Sequence, residues 1–220
     1  MKRCFDIFFS AIGLALASPA FLAIAVLIKL RDPGPVFFIQ QRTGRDFKPF
    51  GLYKFRTMVI GASEKGPSIT SKGDPRVTGI GRFLRETKLD ELPQLINVLK
   101  GDMSFVGPRP ELPKYTALFK DDYEEILKVR PGITDYASIK FSDEESLLKR
   151  YTDPEKGYVE DVLPAKIALY KQYIREACFL TDIKLVLLTL LKVAKQSSRI
   201  IAKVLQLLIF AAYGLTLSSQ

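Results

Sequence analysis

From Ile7 to Ile28 the chain carries no charged residue, a run of 22 positions. A straight membrane-spanning helix needs about 20 apolar residues. The run therefore limits the chain to three designs: a transmembrane anchor, a cleaved export signal, or a helix that enters and leaves by the same face. Lys2 and Arg3 stand on one flank, Lys29 and Arg31 on the other. Basic flanks tend to stay cytoplasmic, which would hold both ends on one side. Ser18-Pro19 lies mid-run. A proline there removes one helical hydrogen bond and crowds the preceding turn, and a neighbouring serine can satisfy the freed backbone. A re-entrant helix over residues 1–32, broken at Ser18-Pro19, meets both conditions; on these grounds alone a single span stands level with it. An export signal fits less well. The run is long, no small-x-small cleavage site precedes a recognisable secreted domain, and Cys4 and Cys178 are the only cysteines, which suits a reducing compartment.

The chain contains no histidine. That removes Ser-His-Asp and Cys-His catalysis and the commonest metal ligand. Acid-base or nucleophilic work falls to carboxylates, lysines, tyrosines or hydroxyls. A net charge of +9 suits anionic lipid, nucleic acid or phosphorylated substrates. Nucleic acid is disfavoured, because aromatic residues are not interleaved with the basic ones as stacking platforms.

Beyond the apolar run, Pro33-Gly34-Pro35 punctuates the chain. Val36 to Gln41 and Leu52 to Thr57 read as two short strands about a Gly44-Arg45-Asp46 turn. Residues 59–75 read as a loop. Phe83, Leu84, Leu92, Leu95, Ile96 and Leu99 recur at helical spacing, and Tyr115 to Thr134 reads as a helix closed by Pro131-Gly132. The last third is helical. A helix is expected from an N-cap at Thr181, its apolar face formed by Ile183, Val186, Leu187, Leu190, Leu191 and Ala194. Such a basic amphipathic helix packs on a core or lies in a membrane interface. The expected class is α+β, mostly helical, with a small β-hairpin and interfacial amphipathic helices around a cytoplasmic catalytic core. Its parts are the membrane helix at 1–32, a catalytic domain at 33–197 and a C-terminal apolar helix at 198–220.

The string with most chemistry is "RETKLDELPQLINVLKGDMSFVGPRP". Asp90 and Glu91 are adjacent, and mid-helix neighbours diverge by about 100°. If Asp90 is an N-cap, both sit at a helix N-terminus, where free N–H groups attract anions. With Arg85 and Lys88 close by, two carboxylates there could hold Mg²⁺ and a diphosphate together. A plainer reading has Asp90 as a cap and Glu91 complementing the dipole with no reaction at all; spacing alone favours it. Lys54, Arg56, Arg85, Arg109 and Arg130 form a set of cations, of which Arg109 is stiffened between Pro108 and Pro110. Arg56 and Arg130 read equally well as surface or salt-bridged residues. Gly79-Ile80-Gly81-Arg82 reads as a turn before a helix rather than a nucleotide fingerprint.

"YKFRTM" (Tyr53 to Met58), Leu89 to Pro110 and "RPGIT" (Arg130 to Thr134), behind the apolar N-terminus with Ser18-Pro19, resemble the bacterial sugar transferase family, the monotopic phosphoglycosyl transferases. The resemblance weakens after Thr134. It implies transfer of a sugar-1-phosphate from a UDP-sugar to undecaprenyl phosphate with release of UMP, early in assembly of an exopolysaccharide, O-antigen, capsule or other glycoconjugate. It implies that Asp90 is a nucleophile forming an aspartyl-phosphosugar intermediate, that Glu91 assists through Mg²⁺ or a proton transfer, and that both carboxylates bind the metal. Lys54, Arg85 and Arg109 would contact phosphate or nucleotide. It also implies a re-entrant anchor in the bacterial inner membrane and a cytoplasmic active site among membrane lipids. The oligomeric state stays open, a homodimer being one option. Two alternatives stay open: a membrane-bound glycosyltransferase that releases UDP, and a basic membrane-surface scaffold with no activity.

Overall fold

The computed structural model describes residues 1–196 and 198. Helix α1 (Lys2–Arg31) leads into an antiparallel hairpin, β1 (Phe37–Thr43) and β2 (Pro49–Phe55). Then come α2 (Gly79–Glu86), a 3₁₀ turn at Leu89–Glu91, α3 (Gln94–Lys100), β3 (Ser104–Val106), α4 (Pro113–Leu118) and α5 (Lys120–Ile126). Strand β4 (Gly132–Thr134) pairs in parallel with β3, followed by α6 (Tyr136–Lys140), α7 (Glu144–Leu148), α8 (Pro154–Gly157), a π turn at Tyr158–Val162 and α9 (Leu163–Glu176). A last helix, α10, covers 179–196. The class is α+β and mostly helical, with the small hairpin expected. The C-terminal segment 198–220 lies outside the described residues apart from Ser198.

Helix α1 lies along the domain on one stripe. Arg3, Asp6, Ser10, Gly13, Ala17, Phe21, Ile24 and Ile28 recur every three or four residues and turn inward. Lys2 Nζ reaches Asp182 and the Tyr173 hydroxyl, each at 2.7 Å, and the Val106 carbonyl at 2.9 Å. The Arg3 guanidinium donates to the carbonyls of Val98 and Leu99, closing the C-terminus of α3. The buried Asp6 carboxylate accepts from Ser104 Oγ and the Phe105 amide, at 3.0 and 3.1 Å. At the other end Ile24 and Ile28 pack with Phe55 and Leu84, and Arg56 pairs with Asp32 at 2.8 Å. Both ends of α1 are thus tied to the same domain. The outward stripe is apolar: Phe8, Leu16, Leu22 and Leu30 are 60–78% exposed. The helix continues through Pro19. Proline has no N–H for the Ala15 carbonyl, and Ser18 Oγ donates to that oxygen instead, at 2.8 Å.

Several boundaries differ from the sequence expectation. The stretch from Phe83 to Leu99 forms two helices, because Lys88 takes a left-handed conformation with φ 60°. Residues 115–134 form no single helix: α4 and α5 meet at a kink on Phe119, and Gly132 opens β4 rather than closing a helix. Gly79 to Arg82 is the first turn of α2, capped by Thr78, and not a turn before it. A Cβ on Gly81 would strike the Thr57 carbonyl, so this glycine serves close packing. Helix α10 begins two residues before Thr181, and its sides are reversed relative to a core helix. Asp182, Leu185, Thr189, Lys192 and Gln196 face the domain. Thr189 bonds Thr134, Lys192 the Ile139 carbonyl and Gln196 the Glu86 carbonyl. Leu187, Leu190 and Leu191 are 55–68% exposed, so most of the expected apolar face points away from the protein.

Strands β3 and β4 set the base of the loop that carries Arg109. Gly107 N–H bonds the Thr134 carbonyl and Gly132 N–H the Pro108 carbonyl. A Cβ on Gly132 would stand 2.1 Å from the Gly107 nitrogen, which no side-chain adjustment relieves. Gly132→Ala is therefore expected to cost about 3 kcal/mol of stability, read as a lowered melting temperature in detergent. An unchanged melt would mean the two strands separate without cost.

Candidate active site

Three segments converge on the adjacent carboxylates. In the hairpin register Lys54 stands opposite Phe38 and Arg42 opposite Phe50. Cross-strand partners share a face, so Lys54 and Arg42 project to the same side. The opposite face packs Phe37 and Phe55, stacked at 5.4 Å, toward Phe21 of α1. Helix α3 is docked on β2 by the buried Asn97, which accepts from the Tyr53 amide and donates to the Gly51 carbonyl. The third segment is the loop from Gly107 to Pro110.

Asp90 and Glu91 sit in the 3₁₀ turn between α2 and α3. Asp90 is not an N-cap: Lys88 starts the turn and α3 begins at Gln94, behind Pro93. A tight turn still brings both carboxylates to one place. Glu91 is held by Arg109 through both oxygens and by Lys54 Nζ at 3.4 Å. Burial pushes the Glu91 carboxyl up, but Arg109 and Lys54 outweigh it and hold it well below the usual carboxylate range. Burial likewise lowers Lys54, with Glu91 opposing. Asp90 is in the opposite condition. Its Oδ1 is buried without a hydrogen-bond partner. Burial, followed by the charge of Glu91, raises its carboxyl to about 6 against the pull of Lys54, Arg85 and Lys88. One carboxylate is locked in place by cations and the other is left open.

Arg85 is near enough to act on the charge of Asp90, yet its guanidinium is engaged elsewhere. Nε and Nη2 donate to Glu145 Oε1 at 2.9 and 2.6 Å, and Nη1 to Thr57 Oγ1 at 3.3 Å. Lys88, beside the dyad, makes no ion pair among the described residues. Arg56 and Arg130 stand apart: Arg56 is buried against Asp32, and Arg130 caps the Gly101 carbonyl at 2.9 Å. Both serve the fold.

Sequence reasoning missed a buried polar assembly behind Arg109. Arg42 Nη1 donates to the Pro110 carbonyl at 3.0 Å. Glu111 accepts from Lys166 at 2.8 Å, and Lys166 also meets the Tyr158 hydroxyl at 2.9 Å and Glu144 at 3.2 Å. Lys166 and Glu111 are each 4% exposed. Only Glu111, next to the Pro-Arg-Pro string, stood close enough in sequence to have been suspected. Gln94, fully buried with neither amide atom partnered, was also missed, although four residues after Asp90 is the helical-neighbour spacing.

Among the described residues no group of three or more carboxylates and cysteines is placed to hold a metal ion. Mg²⁺ is often held by one or two carboxylates with substrate phosphates and water completing the shell. The open Oδ1 of Asp90 fits that need. Both oxygens of Glu91 are already committed to cations.

Over residues 1–196 the chain matches the family described as bacterial sugar transferase. A Bacillus subtilis protein, provisionally named an undecaprenyl-phosphate N-acetylgalactosaminyl 1-phosphate transferase, is 52% identical over 122 residues, covering 56% of this chain and 68% of its own length. The UDP-glucose:undecaprenyl-phosphate glucose-1-phosphate transferase of Escherichia coli is 40% identical over 196 residues, covering 87% of this chain. The match spans 40% of the length of that relative. An uncharacterized sugar transferase of Bacillus subtilis, EpsL, is 38% identical over 193 residues, 88% of this chain and 87% of its own.

Proposed function

Starting from the fact that the chain belongs to the bacterial sugar transferase family, we propose that it moves a sugar-1-phosphate from a UDP-sugar to undecaprenyl phosphate and releases UMP. The observation that carries the reading is the unequal pair: Asp90 buried with an unpartnered oxygen, beside a Glu91 neutralised by Arg109 and Lys54. In a chain without histidine, Asp90 is the nucleophile. Its carboxylate attacks the phosphorus bearing the sugar. An Asp90–phosphorus bond forms, the bond to the departing UMP oxygen breaks, and UMP leaves. A phosphate oxygen of the lipid then attacks the same phosphorus and returns Asp90 as a free carboxylate. A carboxylate is an established covalent nucleophile of this type.

Lys54, Arg85 and Arg109 offset the charge of an anion attacking an anion. With both oxygens held, Glu91 fixes those cations rather than moving a proton. Asp90 would hold Mg²⁺ through its open oxygen, and the ion would supply further neutralisation of phosphate charge. UMP as the released nucleotide, measured with undecaprenyl phosphate and a panel of UDP-sugars, tests the reaction. Release of UDP would replace it with simple glycosyl transfer.

The lipid phosphate lies at headgroup depth, so the site must stay at the interface. The outward apolar sides of α1 and α10 support seating there, and the attachment of both ends of α1 to one domain supports a same-side anchor on the cytoplasmic face of the inner membrane. In a Cys178→Ser background, Cys4 and a Lys29→Cys substitution are expected to react with an impermeant maleimide only from the cytoplasmic side. Periplasmic labelling of Cys4 alone would establish a span.

A further inference from the structure

Residues 59–75 and 135–160 pack together, and a backbone bond between them falls on Glu145 of α7. The Glu145 carbonyl accepts from the Lys72 amide at 3.2 Å. Its carboxylate takes two of the donors of Arg85. The neighbouring Glu144 pairs with Lys166, so the first turn of α7 is pinned on one side to a buried lysine and on the other to a cation of the site. The two contacts differ in exposure. Lys166 is 4% exposed at its side chain, whereas Arg85 and Glu145 are 21% and 39% exposed. A partly solvated ion pair is weak and exchangeable. The fork of Arg85 suits a phosphate better than a single carboxylate oxygen.

We infer that Glu145 is an internal competitor for the donor: its carboxylate occupies the Arg85 guanidinium until a diphosphate displaces it. The inference rests on the proposed use of Arg85 for a phosphorylated donor. Glu145 thereby sets donor affinity without touching the reacting atoms. The Lys72 bond is to the Glu145 backbone carbonyl and stays in place when the carboxylate leaves, so the exchange is confined to the side chain. The apparent affinity of a diphosphate is lowered by the fraction of time Arg85 is occupied.

The test uses the full chain in detergent and inorganic pyrophosphate as probe, measured by isothermal titration calorimetry. Glu145→Gln keeps the shape and removes the charge; Glu145→Ala removes both. Each is expected to bind pyrophosphate about three- to fivefold more tightly than the unaltered protein. In an Arg85→Gln background the same substitutions are expected to change nothing. A general loosening of α7 would not discriminate in this way. Equal or weaker binding by both variants overturns the inference, and so does a gain that persists without Arg85. The measurement requires no lipid acceptor. A gain in pyrophosphate affinity in a protein that releases no UMP would sink the proposed reaction and leave Glu145 as the competitor.

Discussion

Asp90→Asn is expected to abolish transfer and, at the same time, to make the protein more stable. The loss follows from chemistry: an amide cannot form the aspartyl-phosphate bond, and incubation with labelled donor but no lipid acceptor should leave the variant unlabelled while the unaltered chain retains label. Substantial UMP release by the variant would sink the covalent reading. The gain follows from position. Asp90 is 7% exposed, carries a buried oxygen with no partner and adjoins Glu91. Its carboxyl is raised from 3.8 to about 6, so the folded state binds its proton more tightly than the unfolded one does. Between about pH 4 and 6 the unaltered protein therefore loses stability as pH rises, and above about 6 the full cost is present. Asparagine removes that cost. With a chelator present at pH 8, Asp90→Asn should be more stable by about 2 kcal/mol. The difference should shrink toward pH 4. A variant that melts at the same temperature at pH 8 would show that the carboxylate is accommodated without strain.

Glu91→Gln should fail in the opposite sense. Here the carboxylate is the shared counter-charge of Arg109 and Lys54, and removing it leaves two cations facing one another in a confined space. Truncating one partner of a buried pair exposes the desolvation cost of the other. Because these side chains keep some exposure, the expected loss is about 2 kcal/mol rather than the full value for a sealed pair. Transfer should fall by about a hundredfold or more, since cations that wander no longer neutralise the developing charge. Steady-state kinetics and a thermal melt check both. A variant that loses rate with an unshifted melt would point instead to a proton-transfer duty for Glu91.

How much of this was legible in the sequence depends on the range of the contact. The hairpin was readable because its alternation and turn are local, although the observed strands, Phe37–Thr43 and Pro49–Phe55, are offset from those expected. Asp90 and Glu91 were singled out by the family resemblance, since spacing alone favoured a plain helix cap, and Arg109 by its place between two prolines; the 3₁₀ turn that carries the pair was not foreseen. Lys88 was not readable, because a lysine at φ 60° is held by its surroundings against its own preference. The engagement of Arg85 by Glu145 and the assembly of Glu111 with Lys166 join positions 55 to 60 residues apart, which no local pattern encodes. Helix α10 is the most instructive case. Its periodicity named a genuine apolar face, but periodicity alone cannot say whether the apolar side meets protein or something beyond it.

The way α1 is fastened carries a practical consequence. Lys2, Arg3 and Asp6 close the ends of α3, β3 and α10, and Ile24 and Ile28 fill the space behind β2 and α2. What looks in the sequence like a detachable leash is a packed part of the domain, set against the backs of β2 and α2. Deleting it to obtain a water-soluble enzyme would expose the apolar backs of those elements and orphan their caps. Extraction in detergent, with α1 left in place, is the route that keeps the chemistry intact.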